Sequence, residues 1–237
     1  MRWIDDTAPR EGALNMAIDE VLLAGRERGG EAILRTYRWE EATRSIGYFS
    51  SIIDQTSYLA TGERLVRRLT GGGVVDHGEE VDFTYSLIYP VGHPLCSLPA
   101  SARYREIHGI VVLALQELGV SCMLASEAAT KRASVREADD CFKKPVAWDV
   151  LAPGGSKLAG AGQRRRRDGL LHQGSVRAKV GTAFPAVLAE RLSASKSGGL
   201  SSEVREEAAE LALRKYATES WLRGRKGGRK NSLENLV

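Results

Sequence analysis

The sequence predicts an α+β domain built on a mixed, largely antiparallel sheet flanked by helices. The element order is helix, several strands, helix, strands, helix, without the regular strand–helix alternation of a Rossmann-type fold. Turn residues divide 147–178 into three strand-like segments, which predicts an antiparallel meander. The chain has 237 residues, 43% of them hydrophobic, which suits one large domain or a domain with a small appendage, with a core that needs no disulfide bonds.

The first half of the chain predicts one helix followed by strands. Segment 11–30 has apolar residues at helical spacing and ends in a glycine pair. Segments 32–39 and 43–49 are rich in aromatic and β-branched residues, which favour strands. In 81–90, apolar residues alternate, which predicts a strand buried on one face only. The alternating residues are Val81, Phe83, Tyr85, Leu87 and Tyr89.

The second half predicts two further helices. Segment 101–119 is amphipathic and ends at Gly119, and 121–126 is typical of a short strand. Another helix begins after Ser201 or Ser202, either of which suits a helix cap. The predicted organisation is a catalytic domain over 1–192, a linker over 193–200, a C-terminal helix over 201–222 and a basic, disordered tail over 223–237.

Cysteine usage and hydropathy indicate the cellular compartment in which the protein is expected. Cys96, Cys122 and Cys141 form no C-x-x-C pair and are odd in number, so neither a disulfide framework nor a metal site is expected. The N-terminal residues do not resemble a secretory signal, and the longest apolar stretch, 109–120, is too short to span a bilayer. We therefore expect a soluble, cytoplasmic protein that does not act at a membrane.

Residues 67–78 read RRLTGGGVVDHG. A phosphate-binding Walker A loop would need a lysine and a hydroxyl residue opening a helix after the glycines. A dinucleotide fingerprint would also open a helix. Here the glycines lead into a strand-like Val-Val-Asp-His, so both motifs fail. Glycines between strands instead indicate close backbone approach or a tight turn with positive φ.

This motif resembles the R-R-x-T-G-G-G-x-V-x-H signature of the lipoate-protein ligase and octanoyltransferase superfamily, which shares its fold with biotin protein ligases. Segments 15–23, 33–51 and 157–176 are also similar to that superfamily, and the resemblance covers roughly 3–192. Two positions depart from it. Ser50 stands where glutamine is common, and Gly162 stands where alanine is common.

The resemblance implies that the glycine loop forms one wall of a narrow channel for a medium-length acyl chain. The preceding arginines would shape its mouth. His77 would brace the loop or transfer a proton, while His172 would be structural. The expected substrate-binding residues are Arg67, Arg68, Thr70, Gly71, Gly72, Gly73, His77, Gly160 and Gly162.

Two residues are expected to be catalytic, Lys157 and Cys141. The resemblance implies that Lys157 meets the acyl carbonyl, where an ammonium stabilises the developing oxyanion. It also implies that a cysteine at position 141 serves as the nucleophile, as in octanoyltransferases that form an acyl-enzyme. Lysines near Cys141 favour its thiolate and neighbouring aspartates oppose it, so the balance is open. For Asp149, bonding to backbone and contact with an incoming lysine are both open.

Two activities follow from the resemblance. The first is transfer of an octanoyl or lipoyl group from a thioester, such as octanoyl-acyl carrier protein, to a lysine of a lipoyl domain, without a cofactor. Acceptors would be E2 subunits of 2-oxoacid dehydrogenases and the glycine cleavage H protein. The alternative is a lipoate-protein ligase that uses ATP and Mg. Cys141 favours the transferase. So does the length after 192, about 45 residues, because many single-chain ligases carry a large accessory domain, although a two-chain ligase would escape this second argument.

The net charge of +4 and the arginines at 164–167 raise a third hypothesis, a nucleic-acid binder. No nucleic-acid motif supports it, so we expect no nucleic-acid partner. Alternate residues of a strand face opposite ways, so the four arginines cannot form one continuous face. One or two could meet an acidic carrier or lipoyl domain, and a solvated turn is the other interpretation.

Overall fold

The computed structural model describes residues 1–25, 30–52, 64–78, 82–127, 145–178 and 180–224. Its strands are β1 (Arg2–Arg10), β2 (Ile33–Trp39), β3 (Thr43–Ile46), β4 (Arg64–Arg67), β5 (Val74–His77), β6 (Asp82–Pro90), β7 (Met123–Leu124), β8 (Val150–Leu151), β9 (Lys157–Arg166), β10 (Gly169–Arg177) and β11 (Ser195–Lys196). Its α-helices are α1 (Gly12–Ala24), α2 (Pro94–Ser97), α3 (Ala100–Glu117), α4 (Phe184–Arg191), α5 (Ser202–Leu211) and α6 (Glu219–Arg223).

Eight strands form the main sheet, in the order β11-β1-β2-β6-β10-β9-β8-β7. β1 runs parallel to β2 and to β11, whereas the other neighbouring pairs are antiparallel. A second sheet has the order β4-β3-β5. The prediction of an α+β fold with a mixed, largely antiparallel sheet is confirmed, and so is the meander, which is formed by β8, β9 and β10.

Helices cover both faces of the main sheet. One hydrophobic cluster joins α3 and α4 to the sheet, and another joins α1 and α5 to its opposite face. The central strand β6 is therefore buried on both sides, where Thr84, Ser86 and Ile88 are buried as well as Tyr85 and Leu87. The prediction that this strand is buried on one face only was wrong. Val81, part of that predicted pattern, lies outside the described residues.

A buried ion-pair cluster ties α1 to β1 and β2. Arg35 is fully buried and pairs with Asp6 and Asp19, each at 2.8 Å. It also donates to Asn15 Oδ1 at 2.7 Å. Burial opposes its charge, but the two carboxylates raise the pKa of Arg35 above its usual value. Breaking such a pair would leave an uncompensated buried charge, so the cluster fixes α1 on the sheet.

Several element boundaries differ from the sequence-based expectation. α1 ends at Ala24, before the predicted end at the glycine pair 29–30. β1 was not predicted at all, and neither was α4. The predicted linker 193–200 contains β11, which pairs with β1 and so belongs to the main sheet.

The predicted C-terminal helix is present but not continuous. α5 is capped by Ser201, whose Oγ accepts from Val204 N at 3.3 Å. A π-helical turn over Ala212–Tyr216 follows, and α6 then begins after its own cap, Thr218. The predicted tail beyond residue 224 lies outside the described residues. Within the described ranges, no helix is long and apolar enough to cross a membrane.

Candidate active site

The glycine loop between β4 and β5 lies against the turn that follows β3. Gly72 has a φ of +97°, a region that glycine occupies without strain. Gly47 N donates to Gly73 O at 3.1 Å, and a Cβ on Gly47 would overlap the Gly72 carbonyl oxygen. The two turns meet through backbone atoms, so the predicted close approach at the glycines is confirmed.

Arg68 holds this loop from the inside. One guanidinium nitrogen donates to Ser45 O at 2.8 Å and to Ser45 Oγ at 2.7 Å. The other donates to Gly71 O at 3.2 Å and to Gly73 O at 2.9 Å. Since these bonds join β3 to the loop, Arg68 determines where the loop backbone lies.

Arg67 faces away from this loop. Its Nη1 donates to three carbonyls of the turn 47–50, at distances of 2.8 to 3.0 Å. Its Nε and Nη2 donate to the carbonyls of Trp221 and Leu222 in α6. Arg67 thus joins the C-terminal helix to the turn beside the glycine loop. Its role in substrate binding stays a prediction.

A chain of buried hydrogen bonds links the glycine loop to α1. Thr70 Oγ1 donates to Gln173 Oε1 at 2.7 Å. Gln173 Nε2 donates to Asp19 Oδ2 at 2.8 Å, and Asp19 pairs with Arg35. Because each member is buried and bonded, the chain holds the loop at a defined height above the sheet.

A narrow cleft lies between the glycine loop and strands β9 and β10. Residues predicted from the sequence form much of its lining, namely Arg68, Gly72, His77, Lys157, Gly160 and Gly162. Trp39, Thr84 and Ser175 also line it. The structure therefore brings the glycine motif and the predicted catalytic lysine into one cavity, although 84 positions separate Lys157 from Gly73 in the chain.

His77 is held by its neighbours in the cleft wall. Its Nε2 lies 2.7 Å from Ser45 Oγ, and its ring stacks on Trp39 with centroids 4.0 Å apart. Trp39 Nε1 in turn donates to Thr84 Oγ1 at 2.9 Å. These contacts support the bracing role expected for His77, and they join the small sheet to the main one.

Lys157 forms a buried ion pair. Its Nζ lies 2.8 Å from Asp149 Oδ2, with side-chain exposures of 5% and 0%. Asp149 Oδ2 also accepts from Val146 N at 2.7 Å, so its bonding to backbone is confirmed. A Cβ on Gly160 would overlap the end of the Lys157 side chain. Gly160 therefore leaves the room in which the ammonium lies.

Gly162 lies on the same strand as Gly160 but faces the glycine loop instead of Lys157. A Cβ there would overlap the carbonyl oxygen of Gly71, and Gly71 N approaches Gln163 O at 3.4 Å. Glycine at 162, where alanine is common in the resembling superfamily, allows the loop to lie closer to β9. The cleft is correspondingly narrow at this point.

Two neutral histidines lie behind the lysine, on the α3 side of the sheet. Burial lowers the pKa of His108 to about 4, and its neutral ring donates through Nδ1 to Trp148 O at 2.7 Å. Burial also holds the pKa of His172 well below its usual value. His172 Nδ1 accepts from Gln163 Nε2 at 3.1 Å. These contacts support the structural role expected for His172.

Two of the three cysteines lie within the described residues. Cys96 and Cys122 are buried, and burial raises the pKa of both thiols. Raised thiol pKa values disfavour the reactive thiolate, so both residues are suited to the core and not to nucleophilic attack. Cys141 lies outside the described residues, and its role as nucleophile stays a prediction.

The arginine run divides among separate surroundings, as predicted. Arg164 stacks on the Tyr48 ring, with its Cζ 4.3 Å from the centroid. Arg166 pairs with Glu20 at 2.8 Å, whereas the Arg167 side chain is 93% exposed. Contact with an acidic partner stays a prediction for these residues.

Sequence reasoning missed Tyr104, Trp39 and Gln173. Tyr104 and His108 are four residues apart on one helix, a spacing that places both on the same face. That spacing was the available signal for the polar layer behind Lys157. In the described ranges, no group of three or more His, Cys, Asp or Glu side chains could hold a metal ion.

Comparison with known proteins identifies the class to which this fold and cleft belong. The chain belongs to the lipoyl protein ligase A/B catalytic domain family, whose model matches residues 11–212. The match contains the glycine motif and the sequence positions of both predicted catalytic residues.

Among curated proteins, the chain is similar to octanoyltransferases named LipM. It is 35% identical to the one from Oceanobacillus iheyensis over 72% of this chain and 62% of that protein. It is 37% identical to the one from Moorella thermoacetica over 72% of this chain and 63% of that protein. These matches span less than two thirds of the length of either relative.

Solved structures show the same fold. Lipoate-protein ligase A bound with ATP superposes with a TM-score of 0.74, at 22% identity, covering 94% of this chain and 98% of that one. A bipartite lipoate protein ligase from Thermoplasma acidophilum, solved in a study of that enzyme and its E2 lipoyl domain, gives a TM-score of 0.72 at 21% identity, covering 94% of this chain and 96% of that one.

Proposed function

We propose that the protein transfers an octanoyl group from a thioester donor to a lysine of a lipoyl domain, through an acyl-enzyme on Cys141. The buried Lys157 ammonium facing the glycine-walled cleft carries this proposal. A fixed cation in an enclosed site stabilises the negative charge that develops on a carbonyl oxygen during acyl transfer. The similarity to proteins named octanoyltransferase supports it.

In the first step, the Cys141 thiolate attacks the thioester carbonyl of the donor. Negative charge develops on the carbonyl oxygen, and the Lys157 ammonium stabilises it. The intermediate collapses by breaking the bond to the donor sulfur, which leaves as a thiolate and takes up a proton. The product is a new thioester on Cys141, while the acyl chain lies along the glycine wall.

In the second step, the acceptor lysine attacks as a neutral amine. Its nitrogen bonds to the acyl carbon, the Cys141 sulfur leaves, and the amine proton passes to that thiolate or to water. An amide is formed and the enzyme is regenerated. Because the donor thioester is already activated, no ATP is consumed. We propose acyl carrier protein as the donor, and E2 lipoyl domains or the glycine cleavage H protein as acceptors.

Mass spectrometry tests the acyl-enzyme directly. Incubation with octanoyl-acyl carrier protein should add one octanoyl group, and hydroxylamine should remove it, as expected for a thioester. Cys141→Ser should abolish transfer to a lipoyl domain. Cys96→Ser and Cys122→Ser are matched controls, since both thiols are buried in the core, and they should keep adduct formation. Full transfer by Cys141→Ser would refute the mechanism.

The alternative is an ATP-dependent lipoate-protein ligase that uses Mg. Similarity of fold to a ligase bound with ATP is the observation in its favour. Free lipoate with ATP and Mg should then modify a lipoyl domain without any thioester donor. Absence of product under conditions in which the octanoyl donor reacts would eliminate the ligase.

A further inference from the structure

The Asp149 carboxylate is held on three sides. It pairs with Lys157 at 2.8 Å, accepts from Val146 N at 2.7 Å and accepts from Tyr104 Oη at 2.7 Å. Its side chain is 0% exposed. A carboxylate with this many fixed donors has little freedom to rotate, so its position determines where the lysine ammonium lies.

The direction of the Tyr104 hydrogen bond follows from its second partner. Ala161 N lies 2.8 Å from Tyr104 Oη, and a backbone N–H can only donate. The hydroxyl accepts from Ala161, so its own proton points to Asp149. Burial, together with the nearby Asp149 charge, raises the pKa of Tyr104 well above its usual value. The hydroxyl therefore remains a donor.

Tyr104 occupies the place of a strand partner. β8 pairs with β9 only at Lys157 and Ala159, so on this edge the N–H of Ala161 is satisfied by a side chain of α3. One helical turn further along, His108 donates to Trp148 O. Helix α3 thus holds both the strand that carries the lysine and the segment that carries its counterion.

We propose that Asp149 and Tyr104 are positioning residues that hold the Lys157 ammonium where the oxyanion of the acyl carbonyl develops. The inference rests on the proposed function of Lys157. An unrestrained lysine samples many rotamers, and the ion pair selects one of them, in the space left by Gly160. Preorganised donors stabilise a transition state because they need not reorient during the reaction.

Tyr104→Phe tests this, because it removes the hydroxyl and keeps the ring. In octanoyl transfer to a lipoyl domain, we expect kcat to fall about tenfold, the effect typical of losing a hydrogen bond to a charged group. KM for donor and acceptor should change by less than about twofold, since a group that acts only in the transition state leaves binding unchanged. Tyr89→Phe is the matched control and should keep the parent kcat, because Tyr89 is a tyrosine of 2% exposure near the Pro90 end of β6.

A double-mutant comparison separates positioning from support of the fold. If Tyr104 acts through Lys157, Tyr104→Phe should cause no further loss in single-turnover rate when added to Lys157→Ala. An unchanged kcat in Tyr104→Phe, an equal loss in Tyr89→Phe, or an undiminished further loss in the double variant would overturn the proposal. Parent protein that transfers no octanoyl group would instead refute the proposed function.

Discussion

The two walls of the cleft are built in different ways. The glycine wall is the loop at 68–73, which lies against the turn at 47–50, and arginine side chains hold both by donating to carbonyl oxygens. The lysine wall is formed by β9, and Asp149 and Tyr104 hold the Lys157 side chain from behind. The first wall depends on the absence of side chains, whereas the second depends on charge and hydrogen bonding. Mutations in the glycine wall should therefore lower stability through packing, whereas mutations in the lysine wall should lower the rate of catalysis.

Among changes in the two walls, loss of the lysine should have the largest effect on catalysis. Lys157→Ala should lower the rate of octanoyl transfer by about 100- to 1000-fold, the range seen when a donor to an oxyanion is removed. The glycine wall should be unaffected, because the lysine does not support it. Initial rates at saturating donor would measure the loss. An activity near that of the parent would show that the lysine wall is not the catalytic one.

Gly47→Ala should damage the other wall through packing. The added Cβ would overlap the Gly72 carbonyl oxygen, and backbone cannot move aside cheaply, so the free energy of unfolding should fall by ~3 kcal/mol. Gly109→Ala in α3 is the control, because a Cβ there meets nothing within 4 Å and should add up to ~1 kcal/mol. Chemical denaturation would compare them. Equal stability of the two variants would contradict the close contact between the turns.

Low pH should destabilise the fold through the buried histidines behind Lys157. The pKa of His108 is lowered to about 4 by burial, while its usual value applies in the unfolded chain. The unfolded state therefore binds the proton first, and stability is lost as pH falls from ~6.5 to ~4, by up to ~3 kcal/mol for this residue. His172 acts in the same direction. Unfolding free energies measured across that window should show the slope, and His108→Gln should reduce it. A slope that His108→Gln leaves unchanged would assign the acid sensitivity elsewhere.

The smallest expected effect is that of Gly160→Ala. Its Cβ would overlap the flexible end of Lys157 and lie 3.2 Å from Asp149 Oδ1, so the Lys157 side chain should move and the fold should not. We expect about a tenfold loss of kcat, equivalent to ~1.4 kcal/mol in the barrier, with an unchanged melting temperature. Gly154→Ala, in a turn where a Cβ meets nothing within 4 Å, should alter neither. A falling melting temperature would mean that Gly160 supports packing rather than the ammonium.

Prediction from sequence succeeded where a pattern is local. The glycine motif, the meander over 147–178 and helix α3 all have their signals within a few residues of one another. β1 was missed because its Asp5 and Asp6 obscure the apolar pattern. Burial of Asp6 is tolerable because Arg10 and Arg35 both pair with it. β6 was predicted to be half-buried because its polar positions suggested solvent, but helices cover both faces of the sheet.

The sequence by itself determined the fold class and the glycine turn between two strands, because each depends on residue types at short spacing. Lys157 was selected by resemblance to a family, and its catalytic role stays a prediction. Only the tertiary structure decided which partners Lys157 receives. Tyr104 lies far from both Asp149 and Ala161 in the chain, and its bonds to them span 45 and 57 positions. Nothing in a local pattern can report such a contact, since it exists only once α3 lies across the edge of β9. Charge placement in this cleft is a property of the assembled sheet and helices.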